Sequence, residues 1–531
     1  MVAGLGNSDN LPNVNVTIND FGLRIAPAAP GPKLTIIGGF HHDSGTIPIN
    51  EPLLIDNIGV AMRNLRNKNG SPSELTLAVE EAVAAGATNV EIVVTDTSQV
   101  TPFTGTVNDS YVSGLHSKLT TTYSKLQHHE VDIVYLASAY ADGYATVTSD
   151  AQAGLTDHAA SYNFTKQLAD FCYQQTKESN SAFGVIGTTP LGKVAKQLRW
   201  KENGSVSINT FSGTDGALFK TPSLAFVEEY VDYLTEETGD TTIFNGHTGA
   251  AGGAGNITGT YATSGVFQGL YAKWNTYLYG SVQNSTDASL PHDTYIDEFQ
   301  ALESDGSTLA TDGDGNKVDA AAYISVIGGV SRTFGTEATK YAVAQGATTL
   351  SYVNSNGAAA YAGLLSVTPS FMGVTNKPLV AVSQARVMSG TQAKNLLRHR
   401  VVALIQKPAG YVVTSGITGA FNAGVNSRSD YVRVTTIRTT QAMAEVVREA
   451  GEAFIGKPIS GPFLAALESA IDTNLQRALR RGAIRSYDFA ISSTPDQQVL
   501  GEVTVDLSMV PAFELVTINT TVSLAKGEGI G

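Results

Sequence analysis

Short aliphatic strands alternate with helix-forming segments along much of this chain of 531 residues. The runs Leu34–Gly38 and Val90–Val94 are typical of buried strands, and Ser73 can cap a helix between them. The same alternation of strand and helix patterns recurs in the middle of the chain, where a helical pattern near 158–173 precedes the strand pattern of Phe183–Gly187. Strands that alternate with helices favour an α/β sheet.

The C-terminal third has a different, α+β pattern. A strand is predicted over Tyr431–Ile437, followed by a helix over Thr439–Phe454 and a second, amphipathic helix from Phe463 to a basic run at its end. Two further strands are predicted over Val499–Leu507 and Leu515–Leu524. We therefore expect a chain of several domains, with an α/β part and a C-terminal α+β core.

The beginning of the chain predicts an extended arm. Val14, Val16 and Ile18 alternate with polar residues as in a strand, and a proline-rich linker follows at 26–32. A lone strand on a stiff linker has no core of its own in which to bury its apolar face. We expect it to pair with the edge of a sheet elsewhere in this chain or in another chain.

Composition narrows the class of protein. Hydrophobic residues make up 42% of the chain and charged residues only 15%, below the roughly 25% of typical soluble domains. These values argue against disordered, collagen-like and membrane proteins. A surface built from Thr, Ser, Asn, Gly and Ala suits a protein that packs against copies of itself, although some secreted proteins share it. The first residues show no pattern of a signal peptide, so we expect none, and no apolar run is long enough for membrane insertion.

Charge is unevenly distributed along the chain. The formal net charge is −14, and residues 214–319 contain sixteen acidic residues and three lysines. Residues 396–485 contain twelve basic and six acidic residues. The negative net charge disfavours a nucleic-acid-binding protein. The asymmetry indicates two faces with different neighbours, unless the charges only solvate the surface.

Motifs for catalysis or cofactor binding do not emerge from the sequence. Gly192-Lys193 and Gly456-Lys457 lack the glycine-rich context of a P-loop. The adjacent histidines His128 and His129 cannot both point to one metal from a regular element, and the same holds for His41-His42. The single cysteine, Cys172, lies on the apolar face of its predicted helix. We therefore expect no enzyme activity, cofactor or metal, and we interpret Asp312–Asn316, which fails the calcium-loop pattern, as a surface turn.

An ordered set of segments gives the chain a family resemblance. It begins with Gly38-Gly39 after a strand, the Pro48/Pro52 loop and Ala85-Gly86-Ala87, and continues through the C-terminal third. In this order the chain resembles the contractile tail sheath proteins of phages, tailocins and related injection systems. The C-terminal segments that carry the resemblance are Ala393–Ile405, Gly410–Gly416, Asp430–Val434, Ile455–Pro458, Gly501–Asp506 and Pro511–Ile518.

The resemblance implies a mechanical role. Subunits of this family stack as hexameric rings into a helical homopolymer around an inner tail tube, and contraction drives the tube through the target envelope. It also implies baseplate and tail terminator proteins as partners, assembly in the host bacterial cytoplasm, and a place in a virion tail or injection particle. Residues 95–320 match no family pattern and correspond to the variable outer insertions of such sheaths.

The expected organisation combines the residue patterns with this resemblance. Flexible arms that pair with neighbouring copies require strands at the chain ends. The inner face of a sheath must grip a tube reversibly, which favours exposed basic residues over apolar ones. The expected domains are an N-terminal arm at 1–33, an α/β sheath domain at 34–94 and 321–395, an outer insertion region at 95–320, an inner core at 396–511 and a C-terminal arm at 512–531.

Nine residues are candidates for assembly contacts. Val14, Val16 and Ile18 are expected in the N-terminal arm strand, and Val516 and Ile518 in the C-terminal one. The basic end of the second C-terminal helix is expected to face the tube, through Arg477, Arg480, Arg481 and Arg485. Two other interpretations stay open: a secreted or virion-associated enzyme such as a depolymerase, and another self-assembling shell or adhesin.

Overall fold

The computed structural model describes a large α/β sheet and a smaller C-terminal α+β unit. The structure describes residues 32–39, 48–66 except 56, 72–95, 109–137, 139, 164–187 except 179, 310–311, 318–328, 331–344, 352–384, 393, 397, 400–420 and 430–516.

The described helices and strands follow each other in the order expected for alternating α/β structure. In the first half they are β1 (Leu34–Gly39), β2 (Pro52–Leu54), α1 (Ile58–Asn64), α2 (Glu74–Ala84), β3 (Val90–Thr95), α3 (Asp109–Leu126), β4 (Ile133–Leu136), α4 (Phe164–Lys177) and β5 (Phe183–Gly187). In the second half they are β6 (Ile324–Gly328), β7 (Ser331–Phe334), α5 (Thr336–Ala344), β8 (Tyr352–Ser355), α6 (Ala358–Val367), β9 (Val382–Gln384), β10 (Val401–Lys407), β11 (Gly410–Val413), α7 (Val434–Glu452), α8 (Gly461–Arg480), β12 (Ile484–Ser492), α9 (Pro495–Leu500) and β13 (Thr504–Pro511).

The main sheet has the strand order β11-β10-β6-β5-β4-β1-β3-β2 among the described residues. The six inner strands run parallel, and the two edge strands, β2 and β11, are antiparallel to their neighbours. β3, β4 and β5 are buried along their whole length. Near-continuous apolar strands are expected where helices cover both faces of a parallel sheet.

Two glycines of β5 show that both faces are covered. A Cβ on Gly184 would meet Leu168 and Cys172 of α4, whereas a Cβ on Gly187 would meet Asn356, just before α6. Residues an odd number of positions apart point to opposite faces of a strand. Hence α4 covers one face, and the segment leading into α6 covers the other.

The second face is built around a close contact of α2 with α6. A Cβ on Gly363 of α6 would lie 2.4 Å from the carbonyl oxygen of Ala82 in α2. Only a residue without a side chain allows the two helix backbones to approach so closely. Ser73 caps α2 through a reciprocal bond with Thr76, and Gly86 ends its terminal turn with a φ of 111°, which confirms the predicted helix.

The smaller unit has its own apolar core. Ile471 and Leu475 of α8 pack with Leu507 and Met509 of β13 in this second cluster. Helix α7 joins the two cores: its first turn, through Val434 and Ile437, belongs to the first cluster, and its second half, from Met443 to Ala450, belongs to the second.

The predicted strand at Tyr431–Ile437 is wrong. The segment is a short 3-10 turn, Asp430–Val432, followed by the first turn of α7. Its β-branched residues imitate a strand in the sequence. Val434 and Ile437 are nevertheless both buried in the first core, three residues apart, as a helix places them. Tertiary burial here outweighs intrinsic propensity.

The predicted strand at Val499–Leu507 begins too early. Thr494 and Gln497 form a capping box, and Pro495 occupies the first turn, so residues 495–500 form α9. Gly501, with a φ of 76°, ends the helix, and β13 starts only at Thr504. Val499 and Leu500 carry strand propensity, but the capping residues before them start a helix.

The main sheet contains strands from outside the two ranges expected for the α/β sheath domain, 34–94 and 321–395. Of the described residues within 95–320, the strands β4 and β5 lie at the centre of the main sheet. The boundary at 396 divides this sheet as well, since β10 and β11 form its far edge. The first residues of the expected C-terminal arm, 512–516, are described and contain no strand, while 517–531 lie outside the described residues.

Candidate assembly surface

The β12–β13 hairpin presents an unpaired edge on each side. Its antiparallel register runs from Ile484↔Pro511 to Ser492↔Thr504, and it forms a sheet of two strands in the described part of the chain. Leu507 and Met509 anchor one face in the second core. No third strand of the described chain pairs with β12 or β13, so the hairpin is a candidate acceptor for an added strand.

The chain leaves this hairpin through a carboxylate anchor. Glu514 Oε1 lies 3.3 Å from Arg433 Nη1 and accepts a hydrogen bond from Thr375 Oγ1 at 3.2 Å. A Cβ on Gly373 would come within 1.8 Å of Glu514 Oε2, so the loop before Thr375 closes directly over the carboxylate. Burial raises the pKa of Glu514, while Arg433 opposes the rise.

The residues beside Glu514 face outward. Phe513 is 57% exposed and Leu515 77% exposed, and Val516, a predicted arm residue, is 43% exposed. This pattern places Glu514 against the loop at Gly373 while its apolar neighbours face solvent. The sequence analysis assigned no role to Glu514, although a single carboxylate in an apolar run was a usable signal.

The four candidate arginines gather at one end of α8. Arg477 and Arg480 lie in its last turn, Arg481 is its C-cap, and Arg485 follows at the start of β12. All four are exposed. Arg477 donates to Asn474 Oδ1 at 3.2 Å, and no salt bridge involves the four arginines within the described ranges. The helix dipole favours this placement, and it leaves the guanidinium groups available to an external anion.

A nearby carboxylate is engaged elsewhere. Asp472 of α8 accepts a hydrogen bond from the Tyr487 hydroxyl of β12 at 2.6 Å. Partial burial and this carboxylate raise the pKa of Tyr487 to about 12. The bond ties α8 to the hairpin, so the basic helix end and the open sheet edges form one rigid surface.

A polar stretch of α7 connects this surface to the main sheet. Arg438, Thr439 and Gln441 are all buried. Gln441 Nε2 donates to Thr176 Oγ1 at 2.9 Å, and Thr439 Oγ1 donates to the carbonyl of Ser370 at 3.1 Å. Buried polar groups that are bonded in this way fix the geometry of a junction, because shifting the helix would leave them unpaired.

The other candidate groups show no convergent site where they are described. His129 Nε2 lies 2.8 Å from Glu91 Oε1, whereas His128 Nδ1 is 3.9 Å from Glu178 Oε2, so the pair diverges as predicted. Cys172 is fully buried, and burial raises the pKa of its thiol. No group of potential metal ligands occurs among the described residues. Every helix in those ranges is too short or too polar to cross a bilayer.

Several predicted features lie outside the described residues. They are Val14, Val16 and Ile18 of the N-terminal arm, Ile518 of the C-terminal arm, the Asp312–Asn316 turn and most of the acidic region 214–319. Gly456-Lys457 is described. Gly456, with a φ of 82°, forms the turn between α7 and α8, and Lys457 lies over the Phe454 ring at 4.8 Å.

Solved structures with similar folds come from injection particles. The chain is similar to the PVC sheath complex of an extracellular contractile injection system in its contracted state, with 9% identity, a TM-score of 0.49 and 97% of both chains covered. Two further similar structures belong to the baseplate and the sheath of one other particle. A chain of the anti-feeding prophage baseplate gives 10% identity and a TM-score of 0.49, and the contracted helical sheath of that particle gives 10% and 0.47, each covering 97% of this chain and 99% of the other.

No protein-family model matches the sequence, and no curated protein matches it.

Proposed function

We propose that this chain is a structural subunit of a contractile tail sheath. In this role it polymerises head-to-tail into a helical tube around an inner tail tube, and contraction drives that tube through a target envelope. The observation that carries the proposal is the β12–β13 hairpin, which pairs with no third strand among the described residues, in a chain whose ends carry strand patterns. The ordered segments that resemble sheath proteins support the same function.

The arms supply the connections between copies. The strand pattern of Val14, Val16 and Ile18, at the end of a proline-rich linker, suits addition to an open sheet edge of another copy. Val516 and Ile518 belong to the second arm. Contacts of this donor-and-acceptor kind do not close on themselves, and therefore they build helical polymers rather than dimers.

Contraction requires two stable arrangements of the same contacts. Flexible arms let subunits rotate and repack without separating, so the energy is stored in a metastable set of interfaces. The tighter packing releases this energy without a nucleotide, and we propose no catalytic role for any residue. The domains formed by residues 1–33 and 512–531 act in this scheme as the connecting arms.

The tube-facing surface is the basic end of α8. Arg477, Arg480, Arg481 and Arg485 are exposed and can contact an acidic tube. Exposed ion pairs contribute roughly 0–1 kcal/mol each, so many copies hold the tube while each contact stays reversible. The acidic region 214–319 faces outward in this arrangement. Baseplate and tail terminator proteins close the two ends of the polymer, which assembles in the bacterial cytoplasm.

Electron microscopy of the purified protein tests the proposal. We expect negatively stained samples to contain long tubes of uniform diameter, because sheath subunits also polymerise without their inner tube. An enzyme such as a depolymerase would instead remain as small, separate particles at every concentration. A shell or adhesin would give closed cages or short fibres, and either result would replace the sheath proposal.

A further inference from the structure

Helix α9 at the tip of the β12–β13 hairpin exposes two large apolar side chains. Val499 is 88% exposed and Leu500 72% exposed, and they are adjacent in a helix of six residues. Isolated exposed apolar residues are common on protein surfaces. Two neighbouring aliphatic residues at the tip of a protruding hairpin form a compact apolar projection, which we call the α9 knob.

The knob is ordered before it meets any partner. Thr494 and Gln497 cap the start of α9 reciprocally, and Gly501 ends it in a left-handed conformation. The Gln497 side chain also donates to Thr504 Oγ1 at 3.0 Å, which fixes α9 to the first residue of β13. Because the helix is already rigid, docking it costs little conformational entropy.

A cleft on the main sheet domain has a suitable shape and lining. Helices α1, α2 and α5 line an open surface cleft of about 680 Å³, which is within the range of ligand-sized pockets. Its apolar wall includes Ile58, Met62 and Val83. Ile58 is 41% exposed at the rim, so an aliphatic partner that entered the cleft would bury it.

Three basic residues, Arg63, Arg66 and Lys340, and two acidic ones, Glu80 and Glu337, line this cleft, and the knob is flanked by acids. Lys340 is paired with Glu337 at 2.6 Å, whereas Arg63 is exposed and has no ion-pair partner among the described residues. Asp496 and Glu502 lie on either side of the knob, both exposed. Opposite charges around matching apolar surfaces favour one docking orientation.

We propose that the α9 knob of one copy docks into the α1–α2–α5 cleft of a second copy. The inference rests on the proposed polymer, for which it names a specific contact between subunits. Val499, Leu500 and Ile58 all face solvent in this copy, so both surfaces are available. Knob and cleft belong to different parts of the chain, and their contact is therefore head-to-tail and continues from copy to copy.

Site-directed cross-linking tests the contact directly in the assembled protein. Copies carrying Val499→Cys are mixed with copies carrying Ile58→Cys, allowed to polymerise and treated with a short bismaleimide. Cys172 is buried and contributes little background. We expect a cross-linked dimer whose linked peptides contain residues 58 and 499. Mixing Val499→Cys with Ala466→Cys, an exposed position on α8, provides the matched control and should give no dimer.

Two sets of surface variants, one at the apolar knob and one at the flanking charges, separate this inference from the proposed function. The double change Val499→Ser and Leu500→Ser should raise the concentration needed for tube formation by roughly tenfold, since it removes a buried apolar anchor, and leave the melting temperature unchanged. Asp496→Arg and Arg63→Glu should each weaken assembly, and their combination should restore it. Normal tubes from the double serine variant, with no 58–499 cross-link, would overturn the knob contact and leave the sheath proposal standing. Failure of the unmodified chain to form tubes would instead overturn the sheath proposal.

Discussion

Arg433, at the start of α7, contacts Glu514, which follows β13, with 3.3 Å between Nη1 and Oε1. The two residues are 81 positions apart in the chain, and the whole C-terminal unit lies between them. The contact therefore closes this unit onto the main sheet domain at a second place, besides the helix α7 itself. Glu514 also sets the point from which the last residues of the chain depart.

Replacing Glu514 should loosen that attachment. Glu514→Ala removes the acceptor of Thr375 and leaves Arg433 without its carboxylate, so we expect the free energy of unfolding to fall by about 1–3 kcal/mol. Residues after Ala512 should also become more sensitive to proteases. Urea unfolding and limited proteolysis measure the two effects. Asp496→Ala, at an exposed carboxylate, is the control and should change stability by less than about 0.5 kcal/mol. Equal protease sensitivity in both variants would contradict an anchoring role.

Glu445 should make the junction sensitive to pH. Burial, reinforced by Asp132, raises the pKa of Glu445 to about 7, although Arg448 opposes the rise. The folded chain therefore holds a proton on Glu445 that the unfolded chain releases near pH ~4.3. Stability from this group is complete at lower pH and is lost as the pH rises toward 7.

The matching variant is Glu445→Gln. Because the amide never ionises, it should raise the free energy of unfolding at pH 8 by about 1–2 kcal/mol, after allowance for solvent screening and for the lost contact with Arg448. At pH 4.5 it should change little. Thermal melts at the two pH values measure the difference, with Glu452→Gln, at an exposed position of the same helix, as the control. A gain of the same size at both pH values would exclude titration of Glu445 as the cause.

Gly363 should tolerate no side chain. In Gly363→Ala the new Cβ would lie 2.4 Å from the Ala82 carbonyl oxygen, and only movement of the α2 or α6 backbone can relieve this overlap. We expect a loss of about 1–3 kcal/mol, as for other overpacked cores. Gly461→Ala, where no atom lies within 4 Å of the added Cβ, should be neutral or slightly stabilising. Equal melting temperatures for the two variants would show that the helices can separate freely.

The N-terminal arm should be required for assembly and dispensable for folding. Deleting residues 1–26 should leave a soluble, folded chain that forms no tubes in electron micrographs. A finer version changes Val14, Val16 and Ile18 together to Ser, with Asn13, Asn15 and Thr17 changed to Ser as the control on the opposite strand face. Tubes that persist after the deletion would remove the arm from the interface. Val516→Pro and Ile518→Pro test the second arm in the same assay.

The basic end of α8 should bind the tube without building the sheath. Arg477→Glu combined with Arg480→Glu should abolish co-assembly with the inner tube while tube-free polymers still form. Wild-type co-assembly should weaken with added salt, because these exposed charges are screened. Asp488→Arg, at an exposed position on β12, controls for a general change in charge. Unchanged co-sedimentation of the reversed variant with the tube would assign the arginines to α8 stability alone.

Local patterns in the sequence predicted the elements whose residues carry their own signals. Ser73 and Gly86 bound a helix because capping and a positive φ are local properties. The strand pattern at Tyr431–Ile437 failed because the first core buries Val434 and Ile437, a long-range effect that no short window contains. The central position of β4 and β5 escaped prediction for the same reason, since strand order depends on pairing between distant segments.

The sequence predicted which types of residue form the candidate surface better than it predicted their positions and contacts. The exposed arginines at the end of α8 followed from the amphipathic pattern, which leaves one side of a helix in solvent. The knob formed by Val499 and Leu500 did not, because aliphatic residues predict burial and these two are exposed. The lone carboxylate in its apolar run marks Glu514 as unusual, but its anchoring contacts could not be predicted, since its partners, Thr375 and Arg433, lie far away in the sequence.

The position of β1 determines how this fold would carry a mechanical load. Lys33, just before β1, donates its backbone N–H to Asp132, and β1 then runs parallel between β3 and β4. A pull on the preceding linker acts along the strand axis, in the direction that stretches all of these interstrand hydrogen bonds at once. Shearing many bonds together takes more force than peeling them apart one by one. A subunit dragged by its N-terminal segment would therefore move as an intact body before its sheet gave way.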